Sequence, residues 1–120
     1  MSKFELHSSN LDLTDALEQY AIRKVNRAIK HNKSFVSKVK INLIYENRPN
    51  SCMVEIIAFL IGGKTVRNYS SSDDMYASID IASAGIDRQL RKLKEKHLTT
   101  ERHRILELKE SPDFIAAIAS

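Results

Sequence analysis

Residues 36–70, VSKVKINLIYENRPNSCMVEIIAFLIGGKTVRNYS, decide the fold. Over residues 36–46 polarity alternates with a period of two. Val39, Ile41, Leu43 and Tyr45 face one way, while Lys38, Lys40 and Asn42 face the other. That is a strand with one buried face. Asn47-Arg48-Pro49-Asn50 carries turn chemistry. Residues 53–61 are nearly continuously apolar and rich in β-branched side chains, which predicts a central strand. Gly62-Gly63 predicts a tight hairpin, because glycine takes positive φ without a steric penalty. Residues 64–70 then read as a shorter strand anchored by Val66.

Both flanks switch to helical spacing. On the N-terminal side, residues 3–7 alternate Phe4 and Leu6 against Glu5 and His7, a short first strand, and Ser8-Ser9-Asn10 is a turn cluster. Thr14 offers an N-cap oxygen, with Asp15 in the first turn. Leu17, Ala21, Val25 and Ala28 follow as an apolar stripe widened by Tyr20 and Ile29. This predicts an amphipathic helix of about sixteen residues, ending near His31 and Asn32. On the C-terminal side, residues 70–97, SSSDDMYASIDIASAGIDRQLRKLKEKH, form a second helix. Any of Ser70, Ser71 and Ser72 can cap it. Ile79, Ala82, Ile86, Leu90 and Leu93 make its stripe. Thr99 and Thr100 interrupt or fray that helix, Ile105 and Leu108 suggest one further helical stretch, and Pro112 ends it before the short apolar tail IAAIAS.

The order is therefore β-α-β-β-β-α. An α+β fold follows, a four-stranded mixed sheet with two parallel helices packed on one face. A crossover through the first helix makes strands one and two parallel, and two hairpins bring strand four parallel to strand two. Both helices then run in the same direction. We expect a domain over residues 1–98 and a helical or flexible extension over 99–120.

Composition narrows the function classes. The 120 residues are 42% apolar and 28% charged, which is globular rather than disordered. Cys52 is the only cysteine, so no internal disulfide framework exists and a reducing, cytoplasmic setting is expected. No signal peptide opens the chain, and residues 53–61 are too short to span a bilayer. The formal charge is +4, but it is unevenly spread: residues 23–33 carry +5, residues 73–87 carry −4 and residues 88–104 carry +5. Segregated base favours an acidic partner.

The topology sharpens that point. If both helices run alike, Arg23, Lys24, Arg27 and Lys30 share one end of the sheet with Arg88, Arg91, Lys92, Lys94 and Lys96. Complementing two helix dipoles takes about one or two cations each. Additional cations repel one another unless a polyanion neutralises them. The plainer alternative is a solvated basic face. RNA outranks DNA, because the chain has no helix-turn-helix spacing, zinc ligand set or basic zipper. It also lacks the aromatic-studded strand of the RNA-recognition motif. Recognition is then expected through phosphates, ribose hydroxyls and shape.

Little points to catalysis. His7, His31, His97 and His103 share no ligand spacing, so no metal is expected. Cys52 reads as a packed thiol. Asp80 and Asp87 lie on one helix face, but paired catalytic carboxylates need a pocket that nothing here suggests. Gly62-Gly63 lacks the lysine and hydroxyl of a P-loop. We expect no enzyme activity, no cofactor, no small-molecule substrate and no membrane attachment.

SDDMYASIDIA followed by RQLRKLKEK resembles the signature helix of the ribosome hibernation-promoting and ribosome-associated inhibitor family. LTDALEQYAIRKVNRAIKH is similar to that family's first helix, and the IGG turn matches as well. The likeness covers residues 3–98. It implies a single β-α-β-β-β-α domain that binds the small ribosomal subunit in the channel used by mRNA and by A-site and P-site tRNA. Such proteins hold idle ribosomes inactive in stationary phase, stress or cold. Carried over by motif position, the rRNA-contacting candidates are Lys24, Arg27, Arg88, Arg91, Lys92, Lys94 and Lys96. Arg23 and Lys30 join them from the topology, and Lys38 and Lys40 from charge alone. The family often has glycine where this chain has Ser8, which serine tolerates if φ stays negative. Long members add a C-terminal dimerisation domain that 22 residues after Leu98 cannot supply. This chain is expected to be a short form or a piece of a long one, monomeric off the ribosome. Two other classes stay open: a basic adaptor for an acidic protein partner or another structured RNA, and an RNA-modifying enzyme.

Overall fold

The period-two segments become one four-stranded sheet in the computed structural model, which describes residues 4–47 and 50–110, with side chains through Lys96. The elements are β1 (Phe4–Ser9), α1 (Asp15–Ala28), a 3-10 helix (Lys30–Phe35), β2 (Val36–Asn47), β3 (Asn50–Leu60), β4 (Thr65–Ser72) and α2 (Met75–Glu110). Strand order in space follows the sequence, β1-β2-β3-β4. β1 pairs parallel with β2, and the other two pairings are antiparallel. The described residues fall into two compact units divided between Leu90 and Arg91. The sheet, α1 and the first part of α2 make up the first unit.

The expected α+β fold is what forms, and the register explains it. Val39, Ile41 and Leu43 of β2 sit opposite Ala58, Ile56 and Val54 of β3. All six are fully buried. Onto this face α1 lays Leu17, Ala21 and Val25, and α2 lays Ile79, Ala82, Ile86 and Leu90. Burying each of the larger chains is worth about 1.5–3 kcal/mol. Thr14 caps α1 as expected, its hydroxyl accepting from the Leu17 amide at 3.1 Å. Gly62 and Gly63 turn the β3–β4 hairpin at φ 98° and 91°.

Several boundaries differ from the sequence expectation, each for a local reason. Ser8 and Ser9 belong to β1, opposite Leu43 and Ile44, and the left-handed turn residue is Asn10, at φ 62°. Ser8 therefore needs no glycine. α1 stops at Ala28, and a 3-10 helix occupies the ground before β2. Ser70, Ser71 and Ser72 pair with Val54, Met53 and Cys52 as the end of β4, so none caps α2. Asp74 does so instead, its carboxylate accepting from the Tyr76 amide at 3.3 Å. The serine hydroxyls stitch helix to sheet: Ser78 Oγ donates to the Cys52 carbonyl at 2.6 Å, and Ser70 Oγ donates to the Ser78 carbonyl at 2.5 Å. Thr99 and Thr100 do not interrupt α2, which runs through them to Glu110. Arg48, Pro49, Pro112 and the apolar tail lie outside the described residues.

Candidate nucleic-acid interface

Two points of contact show how the helices run in the first unit. The Tyr20 and Tyr76 rings meet edge to face, 4.8 Å apart at 75°. One turn further along α1, Lys24 Nζ lies 3.5 Å from the Asp80 carboxylate, one turn further along α2. A step along α1 thus matches a step in the same direction along α2, so the helices are parallel. Tyr20 closes the junction by donating its hydroxyl to Asp80 at 2.7 Å. That bond holds the phenol pKa above its ordinary value, because the carboxylate stabilises the protonated form. Arg23 and Lys24 lie 5.6 and 5.7 Å from the Tyr20 ring centre, within cation–π range.

Around this junction the first unit presents base. Arg23 and Arg27 are exposed in the second half of α1, Lys30 is exposed where the 3-10 helix begins, and Arg88 is exposed on α2. Among the described residues none of these four makes an ion pair. The carbonyl end of α1 is complemented by Arg27 in its last turn. Lys24 differs, since Asp80 already meets its charge and it is only partly exposed. In the second unit Arg91, Lys92, Lys94 and Lys96 are exposed along the continuing helix. Lys92 and Lys94 also make no ion pair among the described residues.

Lys38 and Lys40 occupy a different surface. They alternate with buried Val39 and Ile41, so they point to the sheet face that carries no helix. That face has its own charge economy. Lys38 Nζ sits 2.6 Å from Glu5, and His7 lies 2.8 Å from the same carboxylate. Lys38 first, then His7, draw the Glu5 pKa down to about 2. Arg67 approaches Glu55 at 3.7 Å, and Asn42 donates to Glu55 at 3.0 Å.

Other chemistry is sparse. Among the described residues no three His, Cys, Asp or Glu side chains gather as a metal site. Cys52 is buried, and burial pushes its thiol pKa up, which favours the unreactive protonated form. Asp80, which shares a helix face with Asp87 in the sequence pattern, is engaged by Tyr20 and Lys24. Tyr76 and its junction with Tyr20 were not among the expected contact residues. Nothing in helical spacing tells that side chains of two helices so far apart in sequence will meet.

The family model described as "Sigma 54 modulation protein / S30EA ribosomal protein" matches residues 4–98, which hold the sheet, all of α1 and most of α2. The chain belongs to this family. The resemblance read from SDDMYASIDIA and RQLRKLKEK therefore holds. Among relatives, a ribosome hibernation promotion factor from Picosynechococcus is 32% identical over 104 residues, covering 84% of this chain and 53% of that protein. Another from Staphylococcus aureus is 33% identical over 99 residues, covering 80% of this chain and 50% of that protein. The chain thus spans about half the length of the curated relatives it matches. Among solved structures, the N-terminal domain of Thermus thermophilus Protein Y matches at TM-score 0.66 and 28% identity, over 78% of this chain and 99% of that one. A ribosomal subunit interface protein from Coxiella burnetii matches at TM-score 0.69 and 24% identity, over 77% of this chain and 97% of that one. At that identity the second match speaks for the fold alone.

Proposed function

We propose that this chain is a non-catalytic ribosome hibernation factor of the cytoplasm. It binds ribosomal RNA of the small subunit in the channel used by mRNA and tRNA, and it blocks translation while bound. Residues 1–98 are the ribosome-binding domain and residues 99–120 an extension of it. The observation that carries this reading is the set of exposed cations in the first unit, Arg23, Arg27, Lys30 and Arg88, which make no ion pair among the described residues. Beyond what Arg27 gives the end of α1 and Arg23 the Tyr20 ring, the excess of like charge is a cost to the fold. A phosphate backbone removes the repulsion and releases counterions. The names of the relatives from Picosynechococcus and Staphylococcus aureus support the same reading.

Binding to purified small subunits across a salt series is the test. Tight binding at low salt should weaken linearly on a logarithmic scale, and each phosphate contact removed, by Arg91→Ala or Lys94→Ala, should lower the slope by about one. Slopes unchanged across such a series count against the proposal. A pull-down treated with ribonuclease separates RNA binding from capture of an acidic protein, which would survive the treatment.

A further inference from the structure

Tyr76 is anchored yet open. Its ring rests edge to face on Tyr20, but 40% of the residue stays exposed. Among the described residues its hydroxyl makes no hydrogen bond. Tyr20 behind it is held firmly, by the 2.7 Å bond to Asp80 and by Arg23 and Lys24 near its ring. A strut between two helices would work as well with the ring hidden. A ring anchored along one edge and left in water on the other fits a different task, and the acids around it, Asp74 on the Tyr76 amide and Asp80 on the Tyr20 hydroxyl, are both already engaged. Rigid aromatics give contact area at little entropic cost, and every nucleobase has a π-face to offer. Specific reading of RNA uses unstacked bases laid on such rings.

We infer that Tyr76, backed by Tyr20, whose own ring lies close to Arg23, is a stacking site for one unpaired RNA base. The base lies against the open part of the Tyr76 ring, and Arg23, which makes no ion pair among the described residues, meets a neighbouring phosphate. This deepens the proposed ribosomal RNA interface and rests on that reading. It adds a contact that salt does not screen.

The chain has no tryptophan, so Tyr76→Trp places a single indole at the site. In the full chain, short oligouridine and oligoadenosine RNAs, and separately purified small subunits, are expected to quench its emission saturably. Tyr76→Leu should bind small subunits between about fivefold and a hundredfold more weakly, with the salt slope unchanged. Tyr76→Phe, which keeps the ring, should recover most of that loss. Thermal melts of each variant separate lost contact from lost fold, and if Tyr76→Leu does not fold, the Tyr76→Trp quenching decides. An unquenched indole in bound chains overturns the inference. So does Tyr76→Leu binding at native affinity, or quenching by an acidic peptide and not by RNA. If the native chain fails to bind small subunits at all, it is the functional proposal that falls. Quenching by the oligonucleotides still judges Tyr76.

Discussion

The two faces of the sheet handle charge in opposite ways. On the side that carries the helices, Arg23, Arg27, Lys30 and Arg88 are exposed and make no ion pair among the described residues. On the bare face, Lys38 has Glu5 at 2.6 Å and Arg67 has Glu55 at 3.7 Å. The division is not complete, since Lys24 on the helix side pairs with Asp80 and Lys40 on the bare face makes no ion pair among the described residues, but most of the unpaired base lies with the helices. Composition cannot separate these cases, because a net charge counts both alike. What separates them is which residues the fold brings beside each cation. The proposed RNA interface uses the helix-side cations and not the bare face.

The largest contrast to test lies under those charges. Ile56 and Ile57 are neighbours in β3 whose side chains point to opposite faces. Ile56, beneath the helices, is completely buried, and Ile57, on the bare face, is 7% exposed. Ile56→Ala should leave a cavity closed on both sides and cost about 4 kcal/mol in urea unfolding. Ile57→Ala opens toward Lys40 and Arg67, its neighbours across the pairing, whose aliphatic stems can settle into the space. A cost of about 2 kcal/mol is expected. Equal costs would mean that the bare face is packed as tightly as the covered one.

Binding should split the same way. Arg27→Glu with Lys30→Glu removes two candidate phosphate contacts from the helix side, and should weaken small-subunit binding by about a hundredfold and reduce the salt slope by about two. Lys38→Ala with Lys40→Ala, on the other face, should leave the slope where it was. If the sheet-face pair proves as damaging as the helix pair, the contrast between the faces does not describe binding.

Much of this was legible beforehand because it depends on spacing. Alternation along β2, the Gly62-Gly63 turn and the Thr14 cap each depend on a few adjacent residues, and each formed as expected. That Lys38 and Lys40 sit apart from the helices also followed from alternation. The boundaries that differ do so for separate reasons. Ser70 to Ser72 look like caps locally, but β3 offers them a full ladder of backbone partners, and tertiary pairing outweighs a capping preference. Thr99 and Thr100 lower helix propensity only slightly, too little to end a helix. The Tyr20–Tyr76–Asp80 junction was invisible, since it depends on where two helices touch.

A smaller effect tests how closely α2 lies on the covered face. A Cβ built on Gly85 would overlap the Asn68 carboxamide of β4. That carboxamide donates to Gln89 at 3.3 Å. Alanine at position 85 gains about 1 kcal/mol of helix propensity, but it displaces Asn68 and forfeits a hydrogen bond of similar worth. Gly85→Ala alone should therefore move stability by less than about 0.5 kcal/mol. In an Asn68→Ala background the obstacle is gone, and the same change should stabilise by about 1 kcal/mol. Additive effects across the two sites would show that helix and strand do not crowd there.

The faintest signal belongs to the bare face and tests its pairing directly. Glu5 titrates at about 2 because Lys38, and after it His7, favour the carboxylate. The folded pKa lies below the ordinary value of 4.5, so the pairing stabilises the fold above that value and is lost as pH falls toward 2. The pair is exposed, and salt should weaken it. Carboxyl carbon shifts followed by NMR should give a low midpoint in the native chain, and a midpoint back toward 4.5 in Lys38→Met. An unmoved midpoint in that variant would leave Lys38 as uncommitted as the helix-side cations, and the two faces would then differ in geometry but not in charge.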